Sequence, residues 1–378
     1  MSISSELTAL NGYILSAYGA VNDKGGTVPA NKNMANLASS IATISGGGGG
    51  GVGIPREVDA NGSFVMPTQN FTYSPPAGVT KIGKRALESA FYESTKLTSV
   101  DMSSITTIEG GYSLFNAFYG CTALTSVDLS SLSTIKDREC MNHTFYKCTA
   151  LTDVDLSSLT AVGGNTSLYN AFSYCSALTA FPLTELVTVP SGSSYALQQA
   201  FAHCTGLITI DLSSLSTVAG TWAFTNTFQG CTHITTVDLS GLTTVSGSNG
   251  LTFMFQDCSS LTSVDLSHLT SLTATNAMQN TFRNCTSLTS FYFTALDTAT
   301  GSNALSNTFN GCTSLSSVSF PALTASSFGS NTNQFTNMLY GVTGCTVHFP
   351  ATIQSTIGNW ASVTGGFGGT NTTVSFDL

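Results

Sequence analysis

Charge is scarce in this sequence. Asp, Glu, Lys and Arg make up 8% of its 378 residues, against about a quarter in an average soluble domain. A solvated surface must therefore be built mostly from Ser, Thr, Asn and Gly. Basic residues are scarcest: after Lys147 only Arg283 remains, and the net charge is −9. So few cations cannot neutralise nucleic-acid phosphates or an anionic bilayer, which excludes both as partners. No apolar run is long enough to cross a membrane, so membrane insertion is not expected. The start, Met1-Ser-Ile-Ser-Ser-Glu-Leu7, lacks the basic region and apolar core of a secretory signal. No two cysteines stand as CxxC, and His143, His203, His233, His268 and His348 fall at unrelated positions, which argues against a metal cluster. His203 and Cys204 are adjacent, but no Asn or Asp orienter can be assigned to make them a nucleophile pair.

What the sequence does have is a period. Cys121, Cys148, Cys175, Cys204, Cys231, Cys258, Cys285 and Cys312 follow one another at 27, 27, 29, 27, 27, 27 and 27 residues. Each has a Phe three residues before it and a Leu or Ile three residues after it. Ser94 fills the slot one period earlier, between Phe91 and Leu97. A fixed period of this size marks one supersecondary unit stacked on copies of itself. The column also argues against a disulfide framework, because the thiols hold one structural slot where small buried groups pack well. Cys140 and Cys345 lie outside it and are expected to be solvent-accessible.

Each period reads in two halves. In Leu124-Thr-Ser-Val127-Asp128-Leu129-Ser-Ser-Leu132, Val127 and Leu129 alternate with Asp128, which predicts a strand with the valine and leucine inside. Leu124, Val127, Leu129 and Leu132 have the LxxLxLxxL spacing of a leucine-rich repeat. In the second half, Leu114, Phe118 and Cys121 step by four and three, one apolar stripe on about two turns of helix. Nine residues before the Cys stand Thr166, Asn249, Asn276 and Asn303, which suit a helix N-cap. The expected fold is an α/β solenoid: about nine repeats, a parallel β-sheet plus short helices, with a sheet roughly 40 Å long at ~4.8 Å per strand.

The ends differ. Leu7, Leu10, Ile14, Ala17 and Val21 step by three and four, as do Met34, Leu37, Ile41 and Ile44. This predicts two short helices over 1–45, either an amphipathic hairpin packing on itself or a docking or oligomerisation segment resting on Leu7, Leu10, Ile14, Leu37 and Ile41. Gly46 to Gly51 open a glycine-rich linker over 46–53. Residues 54–90 are expected to be β structure capping the first repeat, 91–325 the solenoid, and 326–378 a degenerate repeat and C-terminal cap.

Two sets of residues are candidates for a site. Asp101, Asp128 and Asp155 share one exposed strand position, as do Asp211, Asp238 and Asp265. Neighbouring carboxylates ~5 Å apart repel by about 0.8 kcal/mol even at the dielectric of water. Hydrogen bonds from flanking Ser and Thr, or bound cations such as calcium, would offset that. In the slot nine before the Cys, Tyr112, Glu139, Tyr195 and Trp222 replace the Asn or Thr of other repeats. Tyr195 and Trp222 lie in adjacent repeats, beside the two-residue insertion in Pro190–Ser194, and could stack on a sugar or anchor a protein. The bland alternative is that both rings fold over the next repeat.

The signature F-x-x-C-T-x-L-T-x-V-D-L-S-x-L resembles the BspA-type leucine-rich repeat family over residues 91–325, and Phe349-Pro-Ala-Thr-Ile-Gln together with Asn359-Trp360 resembles the cap that closes such arrays. That resemblance implies binding to protein or glycan at bacterial surfaces or in phage structures, not catalysis. The segment Leu10-Asn-Gly-Tyr-Ile-Leu-Ser-Ala-Tyr18 with Asn33 to Ile41 resembles the start of phage tail or baseplate proteins. Together these imply a homo-oligomeric virion protein docked to tail or baseplate through residues 1–45, its solenoid displayed to a host protein or glycan. A bacterial surface adhesin is the alternative. A solenoid-borne glycosidase would need paired carboxylates at a suitable separation, and the ordered carboxylates form a column instead.

Overall fold

The structure, a computed structural model, describes residues 57–58, 64–65, 67–180, 183–328, 333–354 and 366–378. The strand half of each repeat forms as its alternation requires. Ser126–Asp128 pairs in parallel with Leu97–Asp101 on one side and Asp153–Asp155 on the other, with Val100, Val127 and Val154 aligned. Phe71–Tyr73 begins this series. It continues through Thr209–Asp211, Thr236–Asp238 and Ser263–Asp265, then Ser290–Tyr292, Ser317–Ser319, Thr346–His348 and Thr373–Ser375. These eleven strands form one side of a parallel β-solenoid. The first break in pairing falls beside Phe181 and Pro182, which lie outside the described residues.

A second parallel ladder runs beside the first. Eight two-residue strands, from Lys81–Ile82 through Thr134–Ile135 to Ser271–Leu272, pair coil to coil. Their second residues, among them Ile108, Ile135, Val162, Val189, Val218 and Val245, are buried in the core. Among the described residues eight coils therefore contribute a strand to this second side, beyond the one strand per repeat that the sequence predicts.

The short helices expected in the second half of each repeat do not form. In the coil ending at Cys121 the amides alternate between two kinds of partner. Phe115, Ala117, Tyr119 and Cys121 donate to the carbonyl three residues back in the same coil. Leu114, Asn116, Phe118 and Gly120 donate to Cys140, Asn142, Thr144 and Tyr146 of the next coil, at 2.7–3.0 Å. An α-helix would close bonds four residues back and offer nothing sideways. Here half of the amides tie neighbouring coils together, so the segment is a ladder of tight turns that acts as a third hydrogen-bonded side.

Every fourth residue of this ladder has a left-handed backbone. In successive coils the slots nine, five and one before the Cys hold Tyr112, Asn116 and Gly120; Glu139, His143 and Lys147; Thr166, Asn170 and Tyr174; then Asn276, Asn280 and Asn284, all with φ between 53° and 69°. The slot read as an N-cap is thus one of these left-handed positions. Asn suits it because a short polar side chain tolerates that conformation, not because it caps a helix.

Between the three sides lies one continuous core. Leu114, Ala117, Phe118 and Cys121 are wholly buried, and the Phe rings stack along the axis: Phe91–Phe118 at 5.2 Å, Phe118–Phe145 at 5.2 Å, Phe228–Phe255 at 5.4 Å. Each thiol donates to the carbonyl of the Phe one coil back, as Cys121 to Phe91 at 3.1 Å and Cys258 to Phe228 at 3.2 Å. Burial pushes the Cys121 and Cys231 thiols up to about 12 and drives Cys204 and Cys258 well above the usual range.

Cys140 and Cys345 are buried as well, contrary to expectation. Cys140 sits eight before Cys148, in an inward column that other coils give to Ser113, Ser167, Ala196, Ala223, Gly250, Ala277 and Ala304. Cys345 takes the place of the Leu three after the Cys slot, with Val342 in that slot. Burial raises Cys140 to about 12 and Cys345 to about 11. A thiolate-selective reagent at mildly alkaline pH should therefore label none of the ten in the native protein and all ten in denaturant. Rapid native labelling of several would contradict this packing.

At the N-terminal end Glu57–Val58 pairs antiparallel with Phe64–Val65. At the other end His348 Nδ1 meets Asp377 at 2.9 Å, clasping the last two strands together. The helices expected around Leu7, Leu10, Ile14, Leu37 and Ile41, the Gly46–Gly51 run and the Asn359-Trp360 pair lie outside the described residues.

Candidate functional site

The left-handed slots of the turn side differ in exposure: Tyr174 and Tyr195 are exposed, while Asn170, Asn249 and Asn280 are buried. In the later coils the slot nine before the Cys holds Asn249, Asn276 and Asn303, with Asn276 Nδ2 donating to Asn249 Oδ1 at 2.9 Å. Asn284 likewise donates to Asp257 at 2.8 Å. In the earlier coils the same slots hold large rings. Tyr112 (φ 65°), Tyr174 (64°), Tyr195 (59°) and Trp222 (57°) all take a conformation that bulky L-residues rarely adopt. Left-handed backbone costs roughly 1–2 kcal/mol for such residues, and Asn or Gly would remove most of it. The sequence has used Asn or Gly at many equivalent slots and not at these.

Tyr195 and Trp222 are brought together. Their ring centres lie 6.2 Å apart with planes 9° from parallel, and Tyr195 is 38% exposed. Tyr112 and Glu139 are joined differently. Tyr112 donates its hydroxyl to Glu139 Oε1 at 2.9 Å. Its ring lies between the guanidinium groups of Arg85 at 4.6 Å and Arg138 at 5.3 Å. Tyr112 and Glu139 are therefore engaged by their own neighbours, which leaves Tyr195 and Trp222 as the freer half of the four expected site residues.

A second row of rings escaped the sequence reading. Tyr92, Tyr119 and Tyr146 stand two residues before the Cys slot in three consecutive coils. They stack at 4.8 and 4.9 Å. Tyr174 and His203 carry the row on at 4.6 Å. The signal was present as a column of Tyr, but it is interrupted after Tyr146 because Tyr174 stands one residue later in its repeat.

The acidic ladder is in register, Asp101 beside Asp128 beside Asp155 and Asp211 beside Asp238 beside Asp265. Each Oδ1 accepts the amide of the Ser two residues on, at 2.8–3.0 Å. Ser103 and Ser213 add their hydroxyls at 2.7 Å. Local hydrogen bonds thus oppose the mutual repulsion. The Ser103 bonds hold Asp101 below the usual carboxylate range, and those of Ser157 do the same for Asp155. A depressed carboxyl stabilises the fold above its ordinary range and loses that contribution as pH falls through its lowered value. Melting temperature should therefore drop on acidification from about pH 5 to about pH 2. At neutral pH, calcium and chelator should give the same melting midpoint; a rise with calcium would establish a cation on the ladder. Asp101, Asp128, Asp153 and Asp155 line an open groove of about 560 Å³. Among the described residues no three His, Cys, Asp or Glu side chains are placed to hold a metal together.

His203 and Cys204 do not form a reactive pair. The ring stacks on exposed Tyr174, while the buried thiol donates inward to Phe172 at 3.0 Å.

The repeats match the family described as BspA type Leucine rich repeat region over residues 67–189, 169–308 and 225–339. The chain belongs to this family. No curated protein matches it. Solved structures similar to this BspA-type chain include a leucine rich cell surface protein from Faecalibacterium prausnitzii, 17% identical. That match covers 85% of this chain and 96% of the other at a TM-score of 0.25. A leucine-rich repeat protein from Bacteroides ovatus is 20% identical over 82% and 94% of the two chains, at 0.28. The pneumococcal vaccine antigen PcpA is 12% identical over 85% and 82%, at 0.35. The BspA-type match begins at residue 67, so the likeness of residues 1–45 to phage tail proteins gains nothing from it.

Proposed function

We propose that this chain is a binding protein displayed outside the cell, which holds a host protein or glycan against the turn side of its solenoid. One observation carries the reading. Large rings occupy strained left-handed slots on an exposed side where sister coils use Asn and Gly. Strain retained against an available alternative points to a use other than folding. The low-charge surface of Ser, Thr and Asn suits recognition by stacking and neutral hydrogen bonds better than by ion pairing. A cell-surface setting is named for the Faecalibacterium relative. Docking to a virion through residues 1–45 concerns a stretch outside the described residues; truncating 1–45 and measuring solution mass tests self-association there.

The test is the double variant Tyr195→Asn, Trp222→Asn. Removing left-handed strain returns about 1 kcal/mol per site, and losing the ring pair costs about 1 kcal/mol plus its buried area. Stability should therefore stay within about 1 kcal/mol of the parent. Attachment to epithelial cells and to a glycan array should fall by about tenfold or more, as for anchor residues in other interfaces. Unchanged attachment would make the pair a structural feature, and a loss of several kcal/mol would make it core.

A further inference from the structure

The row of rings, exposed at Tyr92 and Tyr174 and half-buried at Tyr119, Tyr146 and His203, changes direction at one place. Tyr92, Tyr119 and Tyr146 are parallel to within 9° and 19°, and Tyr174 and His203 to within 20°. Between the two stacks, Tyr146 and Tyr174 meet edge to face, 5.4 Å apart at 69°. The cause lies in the sequence: Tyr174 stands one residue closer to its Cys than Tyr146 does, in a left-handed slot. Within a parallel stack each ring covers its neighbour's face, so only edges and hydroxyls are presented. The corner breaks that pattern, and there Tyr174 is 39% exposed.

Lys147 stands at this corner. Its ammonium lies 5.4 Å from the Tyr146 ring centre and 5.9 Å from that of Tyr174. It is exposed and, among the described residues, forms no ion pair. From Gly120 to Gly230 the slots one and two before the Cys contain no acid. Beside it, His143 packs on Tyr146 at 5.2 Å and on Tyr169 at 5.4 Å. A cation without an ion pair and an angled pair of phenols are thus assembled on an acidic protein, with Glu93 one coil beyond Gly120.

We infer that this corner is a subsite for a carboxylate-bearing sugar. Lys147 would pair with the carboxylate, the apolar C–H face of the sugar would lie on the ring surface between Tyr146 and Tyr174, and their hydroxyls would bond to sugar hydroxyls. A neutral sugar could use the rings but would leave the ammonium unanswered. An acidic peptide could use the ammonium but offers less to stack on the rings. The inference rests on the reading that the turn side binds ligand, and it names the chemistry at one part of that side.

The experiment uses the full chain and titrates it by calorimetry with sialyllactose, a galacturonate oligomer, lactose and oligoglutamate. The variants are Lys147→Met, which keeps the stem and removes the charge, and Tyr174→Asn, the residue used at position 284 in the same slot. At least one of the two acidic sugars should bind, with lactose weaker by about tenfold, and binding should weaken with salt. Lys147→Met should bring the acidic sugar down to the level of lactose and leave lactose unchanged. Tyr174→Asn should weaken both without lowering the melting temperature. Failure of both acidic sugars to bind, equal binding by the parent and Lys147→Met, or a preference for oligoglutamate would overturn the subsite. If the subsite fails while the Tyr195/Trp222 variant still loses cell attachment, the broader reading stands. If that variant attaches normally as well, both fall.

Discussion

Replacing Phe255 with Ala is expected to destabilise the protein by about 4 kcal/mol, the usual result of emptying a large aromatic site in a packed core. Phe255 is wholly buried and stacks on Phe228 at 5.4 Å and on Phe282 at 5.8 Å. Its carbonyl also accepts the Cys285 thiol at 3.2 Å, so the column is tied by rings and thiols alike. In a solenoid each coil contacts only its neighbours, so a defect in the middle weakens the coupling between two halves. The urea transition of Phe255→Ala should therefore broaden or split as well as shift. Cys258→Ala, which removes a smaller group from the same coil, should shift the midpoint less and leave the transition single. A loss below about 1 kcal/mol at Phe255 would mean that the stacked column does not hold the coils together.

The second large effect is expected at Gly247. This residue stands eleven before Cys258, in a column of small residues that includes Gly220, Ala274 and Gly301. A Cβ there would press on the carbonyl oxygen of Gly220 one coil back, as one at Gly220 would lie 2.6 Å from that of Ser193. Ala274 shows that the column accommodates a methyl in one coil. A branched side chain does not fit without moving the coils apart. Gly247→Val should cost about 3 kcal/mol, at the upper end of overpacking penalties. Gly247→Ala should cost less. Equal, small losses for both would show that coil spacing at this edge is adjustable.

How much of this was legible in the sequence differs between the two halves of the repeat. The strand half was readable because Val127 and Leu129 alternate with Asp128, and a period of two has no competitor. The turn half was misread because its period is four. Over the nine residues from Ser113 to Cys121 that spacing relates Leu114 to Phe118 and Ala117 to Cys121, and the two inward rows together imitate the apolar stripe of a helix. The clue that separates them lies in the other slots: Asn276, Asn280 and Asn284, then Asn303, Asn307 and Gly311, recur every four residues. These are the residues that tolerate left-handed backbone, and a helix has no use for them in its interior. The second ladder was missed because strands as short as Thr134–Ile135 give alternation no room to show. Cys140 and Cys345 were misplaced because they fill slots that other coils give to Ser, Ala or Gly and to Leu. For the candidate face, the pairing of Tyr195 with Trp222 followed from the period alone. The corner at Tyr146, Lys147 and Tyr174 did not, because it arises from a one-residue offset whose effect on ring direction appears only in three dimensions.

On the proposed function, the rings in left-handed slots are kept at the expense of stability because they bind. The triple variant Tyr174→Asn, Tyr195→Asn, Trp222→Asn tests it most directly, with calorimetric melting and cell attachment measured on the same preparation. Its melting temperature should equal or exceed that of the parent, with attachment reduced by about tenfold or more. A melting temperature lower by about 5 °C or more, with attachment per folded molecule unchanged, would contradict it.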